Sequence, residues 1–224
     1  MFSSRFGVDK MVKTFVNGPK VAGYRVVSCR KISRLMDAHT IEETLEQYDR
    51  VFSRCAELFE AKTADYGTAW RILRPSSLTD QLFIKANRIR TLQQSDEAMV
   101  DEGIDSEFIG IVNYSLMAMI QCGLPADHPM ELPLEEARVR YRSAFEATRS
   151  LMIAKNHDYG EAWRDMRVSS LTDLILMKVL RVKQIENNDG QTNVSEGVEA
   201  NYQDMANYAL FALILLDLTD VSGT

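Results

Sequence analysis

The chain repeats itself, and the repeat decides most of what it can become. Sliding the sequence by 93 residues lays Lys62-Thr-Ala-Asp-Tyr-Gly-Thr-Ala-Trp-Arg71 on Lys155-Asn-His-Asp-Tyr-Gly-Glu-Ala-Trp-Arg164, and fifteen of the 32 positions from 62 to 93 are identical. Tyr48 and Phe52 pair with Tyr141 and Phe145 in the same register. After a one-residue slip, Glu102-Gly103 meets Glu196-Gly197 and Asn113-Tyr114 meets Asn207-Tyr208. Self-similarity of this extent makes the chain two copies of one unit. Copy one spans 36–122 and copy two 134–224. The linker, 123–133, gathers Gly123, Pro125, Pro129 and Pro133.

Each copy reads as three helices. Ile41, Leu45, Tyr48, Phe52, Cys55 and Phe59 recur at helical spacing, as do Leu134, Ala137, Tyr141, Phe145 and Leu151 or Met152. Both first helices end at Asp-Tyr-Gly, where Gly67 and Gly160 can take the positive φ of a helix stop. Second helices are expected from the Ser-Ser-Leu-Thr-Asp segments to about Gln93 and Glu186, with Ser77/Asp80 and Ser170/Asp173 resembling a weak capping box. Third helices follow over about 104–121 and 198–218, apolar on more than one face as buried central helices are. No stretch alternates with period two for long enough to make a sheet. The expected fold is all-α, a helical bundle of two tandem three-helix units, each too small to bury its apolar faces alone.

Composition removes several function classes. Residues 1–35 hold eight Lys or Arg against one acid, whereas the remaining 189 residues carry 18 basic and 31 acidic side chains. An acidic body disfavours nucleic acid bound through a broad phosphate-neutralising face. The basic tail has the composition of a transit peptide or a nucleic-acid-binding arm. Met36, which opens a segment running straight into the first helix, makes an upstream translation or loose tail the competing reading. The longest apolar run, Tyr208 to Leu216, is about half of what a bilayer-spanning helix needs, so no membrane partner is expected. Cys29, Cys55 and Cys122 are far apart and odd in number, against a disulfide framework or zinc site and in favour of a reducing, cytoplasmic setting.

Apolar identity between copies follows from building the same core twice, but polar identity asks for a reason. Lys62, Asp65, Arg71, Arg74, Asp80, Lys85 and Arg88 match Lys155, Asp158, Arg164, Arg167, Asp173, Lys178 and Arg181. Lys85 and Arg88, like Lys178 and Arg181, are i and i+3 on one helical face. With Lys62 and Arg71, or Lys155 and Arg164, from the neighbouring turn, they suggest a cradle for phosphate oxygens. Tyr159 and Trp163, like Tyr66 and Trp70, could stack on a base or simply fill the core. On the third helix of copy two, Glu196, Glu199 and Asp204 suit magnesium, which takes a few protein oxygens plus phosphates and water. Gly110 replaces the counterpart of Asp204, so a metal at Asp204 would make copy two the more competent half. The competing reading pairs Asp204 with Lys178 or Arg181 inside the bundle. No phosphate-binding Gly-rich loop and no His-based site is present.

Two copies of Lys-x-x-Asp-Tyr-Gly-x-x-Trp-Arg, followed by Ser-Ser-Leu-Thr-Asp, Lys-x-x-Arg and Asn-Tyr, resemble the nucleotide-modification-associated domain 1 family over about residues 40–218, especially its tandem-copy versions of Bacteroidetes type. That family is distantly similar to the all-α nucleoside triphosphate pyrophosphatases, which hold magnesium on helix-borne acids and cleave between the α and β phosphates. The resemblance implies a small-molecule nucleotide or nucleoside phosphate as partner and a magnesium-dependent hydrolase, with Asp204 as metal ligand beside Glu199 or Glu196. Against it, the second helix carries Lys178 and Arg181 where that superfamily presents acids, and position 201 is Asn. A non-catalytic nucleotide sensor or protein-interaction module, with structural salt bridges at the same positions, is the alternative. A homodimer is compatible with the surface two small units leave exposed.

Overall fold

The sequence patterns become helices of nearly the expected lengths. The structure, a computed structural model, describes residues 41–94, 103–125, 127–188, 190–191 and 197–222, with side chains to Leu218. The readings on the basic tail and Met36, and on Glu196 and Glu102, lie outside these residues. Copy one supplies α1 (Ile41–Tyr66), α2 (Pro75–Gln94) and α3 (Ile104–Gly123); copy two supplies α4 (Leu134–Tyr159), α5 (Val168–Asn187) and α6 (Val198–Ser222). A short 3₁₀ turn, Ala69–Ile72 or Ala162–Asp165, follows α1 and α4. Among the described residues there is no strand, and no helix is long and apolar enough to cross a membrane.

Helix ends follow local chemistry. Gly160 caps α4 at φ +61° and Gly67 closes α1 at φ +59°, both left-handed as anticipated. The capping boxes do not form. The second helices begin one residue before the Ser-Ser pair, α2 with Pro75 at the first position, where its missing N–H costs nothing. Ser170 sits inside the first turn of α5, and its N-cap, Arg167, makes no side-chain cap bond. Asp80 and Asp173 are used elsewhere. Asp80 accepts an ion pair from Lys183 at 2.6 Å and Asp173 one from Arg90 at 3.5 Å. Arg90 and Lys183 are themselves equivalent positions, so each copy gives its acid to the other's cation.

That exchange recurs throughout. Tyr48 donates to Asn207 at 2.6 Å and Tyr141 to Asn113 at 2.5 Å, so each copy's tyrosine satisfies the other's asparagine. The same asparagines donate to carbonyls on their own copies, Cys55 and Thr148, again equivalent positions. Thr79 bonds Glu186 while Gln93 bonds Thr172. Phe52 and Phe145, counterparts of one another, stack face to face, with Tyr48 against Phe145 and Tyr141 against Phe52. Residues 41–222 thus form a dimer-like pair inside one chain, with α1 against α4 and α2 against α5 running antiparallel. The two third helices make the most extensive packing, α3 on α6. Phe108, Ile111, Leu116, Met205, Ala209 and Leu213 are buried there. The Asn-Tyr identity therefore has a structural cause: a buried amide whose every polar atom is used, since an unsatisfied one costs about 1–3 kcal/mol.

Candidate functional site

The charged residues that the repeat keeps fall into two groups. In the first, the turn arginines are clamps. Arg71 is buried and donates to Gln121 at 2.6 Å and to the carbonyls of His128 and Pro129, which seats the linker on copy one. Burial lowers its pKa from the ordinary guanidinium value. Arg164 lies over the Trp163 ring, 4.3 Å from its centre, and donates to Glu161, Thr44 and Gln47. Trp163 stacks in turn on Phe211. These three, expected to contact phosphate or base, hold the turns in place instead.

The second group surrounds one carboxylate per copy. In copy one, Glu107 on α3 is buried and receives Lys85 at 3.1 Å and Arg88, both from α2. In copy two, Asp204 on α6 is buried and receives Lys178 from α5 at 2.6 Å and Lys155 from the end of α4. The acids do not occupy equivalent positions. Glu107 corresponds to Asn201, and Asp204 to Gly110, so the carboxylate sits one helical turn later in copy two. Lys178 and Lys155 converge on it there. In copy one, Lys85 lies across Gly110, where a Cβ would come within 2.6 Å of its Cε and 2.9 Å of its Nζ. Lys62, the counterpart of Lys155, is exposed and has no carboxylate partner among the described residues.

A cavity of about 610 Å³ opens between α1, α2 and α3, with Lys62, Lys85 and Glu107 on its wall beside Tyr66, Trp70 and Tyr114. Lys85 lies 5.9 Å from the centre of the Tyr114 ring. The indole N–H groups of Trp70 and of its counterpart Trp163 are both buried without a hydrogen-bond partner among the described residues. The volume falls in the range of small-molecule sites, and so does the mixture of apolar wall and a few polar groups.

The model of nucleotide modification associated domain 1 matches residues 62–122 and 155–216, one segment in each copy and more than half of the chain. The chain belongs to this family. No curated protein and no solved structure matches it. The two family segments begin at Lys62 and Lys155, so each takes in the last turn of its first helix and the two helices that follow.

Within this nucleotide-modification-associated domain pair, Asp204 and Glu199 do not converge, and Glu196 lies outside the described residues. Both oxygens of Asp204 are engaged by ammonium groups, and Glu199 lies on a different wall, in a shallow groove of about 440 Å³ with Glu136 and Arg140. Among the described residues no three His, Cys, Asp or Glu side chains are grouped to hold a metal ion. The described side chains around Asp204 do not fit a magnesium centre. Of the pairings weighed for Asp204, the one with Lys178 forms, whereas Arg181 is exposed. Asp204 and burial together push the Tyr208 hydroxyl up, burial being the larger cause, and Arg181 offsets part of it. Asp65, Asp158, Tyr159 and Arg167 stand exposed, Asp158 beside His157 at 3.1 Å. The residues that sequence reasoning left out of the site are Glu107 and Tyr114. Tyr114 was visible in the repeated Asn-Tyr pair, and Glu107 as one of the acids that open the third helix of copy one, but its counterpart in copy two is Asn201, so the repeat did not single it out.

Proposed function

We propose that the chain binds a nucleoside phosphate in the cavity of copy one. The observation that carries this is Lys62, unpaired among the described residues, on the same wall as Lys85 and three aromatic rings, in a family associated with nucleotide modification. Anionic oxygens would take the two ammonium groups, and a base would find the faces of Tyr66, Trp70 or Tyr114. Hydrolysis with magnesium is the further step that the likeness to the pyrophosphatases implies. Glu107 is the acid on the cavity wall, and Lys85 and Arg88 hold both its oxygens. In that arrangement it neither binds a metal nor takes a proton from water, so binding without turnover is the reading the geometry favours.

The test is a thermal-shift series on the full chain with nucleoside mono-, di- and triphosphates, with and without magnesium, followed by assays for released phosphate and pyrophosphate. Binding to the folded state raises stability by about 2.7 kcal/mol at a hundredfold excess over Kd. A shift without release supports the proposal. Magnesium-dependent release would overturn binding alone and restore the hydrolase, and no shift with any nucleotide would remove the nucleotide altogether.

A further inference from the structure

We infer that the two copies are not two sites: Asp204 occupies in copy two the place that a ligand phosphate takes in copy one, so the chain binds one nucleotide and carries its own anion in the other half. This rests on the reading that copy one binds a nucleoside phosphate. The argument is a comparison of equivalent atoms. Lys155 and Lys178 of copy two meet on one carboxylate, whereas their counterparts Lys62 and Lys85 share none. The carboxylate that copy two has and copy one lacks stems from position 204, matched by Gly110, and the Lys85 side chain already lies over that glycine. In copy one Lys85 is held by Glu107 and lies over Gly110, while Lys62 has no carboxylate among the described residues, and a phosphate oxygen brought beside Lys62 supplies what Asp204 supplies to Lys155.

A second difference closes copy two from the apolar side. Met117, on the wall of the copy-one cavity, corresponds to Phe211. Phe211 stacks flat on Trp163 at 4.2 Å, and Trp163 is buried. Trp70, which shares the cavity wall with Met117, is only partly buried. Copy two is therefore filled twice over, by a carboxylate where phosphate would go and by an aromatic ring where a base would stack.

The experiment is isothermal titration of the full chain and its variants with ATP, GTP, CTP and dTTP. The expected stoichiometry is one nucleotide per chain. Lys62→Met, at an exposed position that folding does not depend on, should weaken binding at least tenfold, while Lys155→Met leaves affinity within about twofold. Gly110→Asp, which gives copy one the carboxylate of copy two, should abolish binding, with Gly110→Ala as the control for the added Cβ. If Gly110→Asp fails to fold, the lysine pair alone decides. Two nucleotides per chain, or loss of affinity in Lys155→Met with Lys62→Met unaffected, would overturn the inference while leaving nucleotide binding intact. No binding by the unaltered chain would instead sink the proposed function, and this inference with it.

Discussion

Replacing Asp204 by asparagine tests whether this carboxylate is a structural anion. The side chain is almost wholly buried, and of its two cationic partners Lys178 is 10% exposed and Lys155 is 42% exposed. Asparagine keeps the shape and one accepting oxygen but removes the charge, leaving the Lys178 ammonium buried without a counterion. Breaking a buried ion pair by removing one partner costs about 3–5 kcal/mol. The retained accepting oxygen puts Asp204→Asn at the lower end, about 3 kcal/mol. The solvent-screened Lys155 contact adds little, about 0.2–1 kcal/mol. For a chain of this size that is a fall in Tm of roughly 6–12 °C. Urea denaturation followed by circular dichroism measures it directly. The double variant Lys178→Met with Asp204→Leu should recover most of the loss, because replacing both ions by apolar groups is often neutral. If Asp204→Asn changes stability by less than about 0.5 kcal/mol, the carboxylate is not holding the two lysines and the reasoning fails.

Burial raises the Tyr48 and Tyr141 hydroxyls well above their ordinary value. Above about pH 10 the unfolded chain then releases protons that the folded chain keeps, so stability is full below that pH and falls as pH rises, by about 1.4 kcal/mol per unit for each tyrosine. Urea melts from pH 9 to 11 should show this loss and a shallower one in a Tyr48→Phe/Tyr141→Phe variant; parallel curves would refute it. Gly160→Ala, with open space around the new methyl, should cost about 1–2 kcal/mol for its left-handed backbone alone. Gly67→Ala should cost more, because its Cβ would lie 2.2 Å from Glu131 Oε1, and adding Glu131→Ala should bring it down to the Gly160 value. Asp80→Asn breaks an exposed bridge to Lys183 and should stay within about 0.5 kcal/mol of the parent in the same melts; a loss above about 1 kcal/mol would show that these cross-copy bridges carry the bundle.

The helices and their number per copy were legible because two readings of the same pattern are available in one chain. A stripe such as Tyr48, Phe52 and Phe59, weak alone, is confirmed by Tyr141, Phe145 and Met152. The site was less legible for the same reason. Residues kept in both copies were candidates for chemistry, yet Arg164, Asp80 and Asn113 are kept because each reaches across to the other copy or locks a turn, and contacts between copies leave no spacing signal. The residues that do shape the cavity are those that differ: Gly110 against Asp204, Glu107 against Asn201, Met117 against Phe211. A repeat points to what both halves share, and here the distinction between an open and a closed half lies in what they do not.

Joining the two halves in one chain has a genetic consequence. In a symmetric homodimer every substitution is written twice, so a carboxylate placed at the Gly110 position would close both cavities together and nothing would remain open. In the tandem chain each half is encoded separately, and one can trade ligand capacity for a permanent ion pair while the other keeps its opening. The reciprocal Tyr48–Asn207 and Tyr141–Asn113 bonds keep the halves matched at their shared seam, leaving the outer ends of the helices as the places where they are free to diverge.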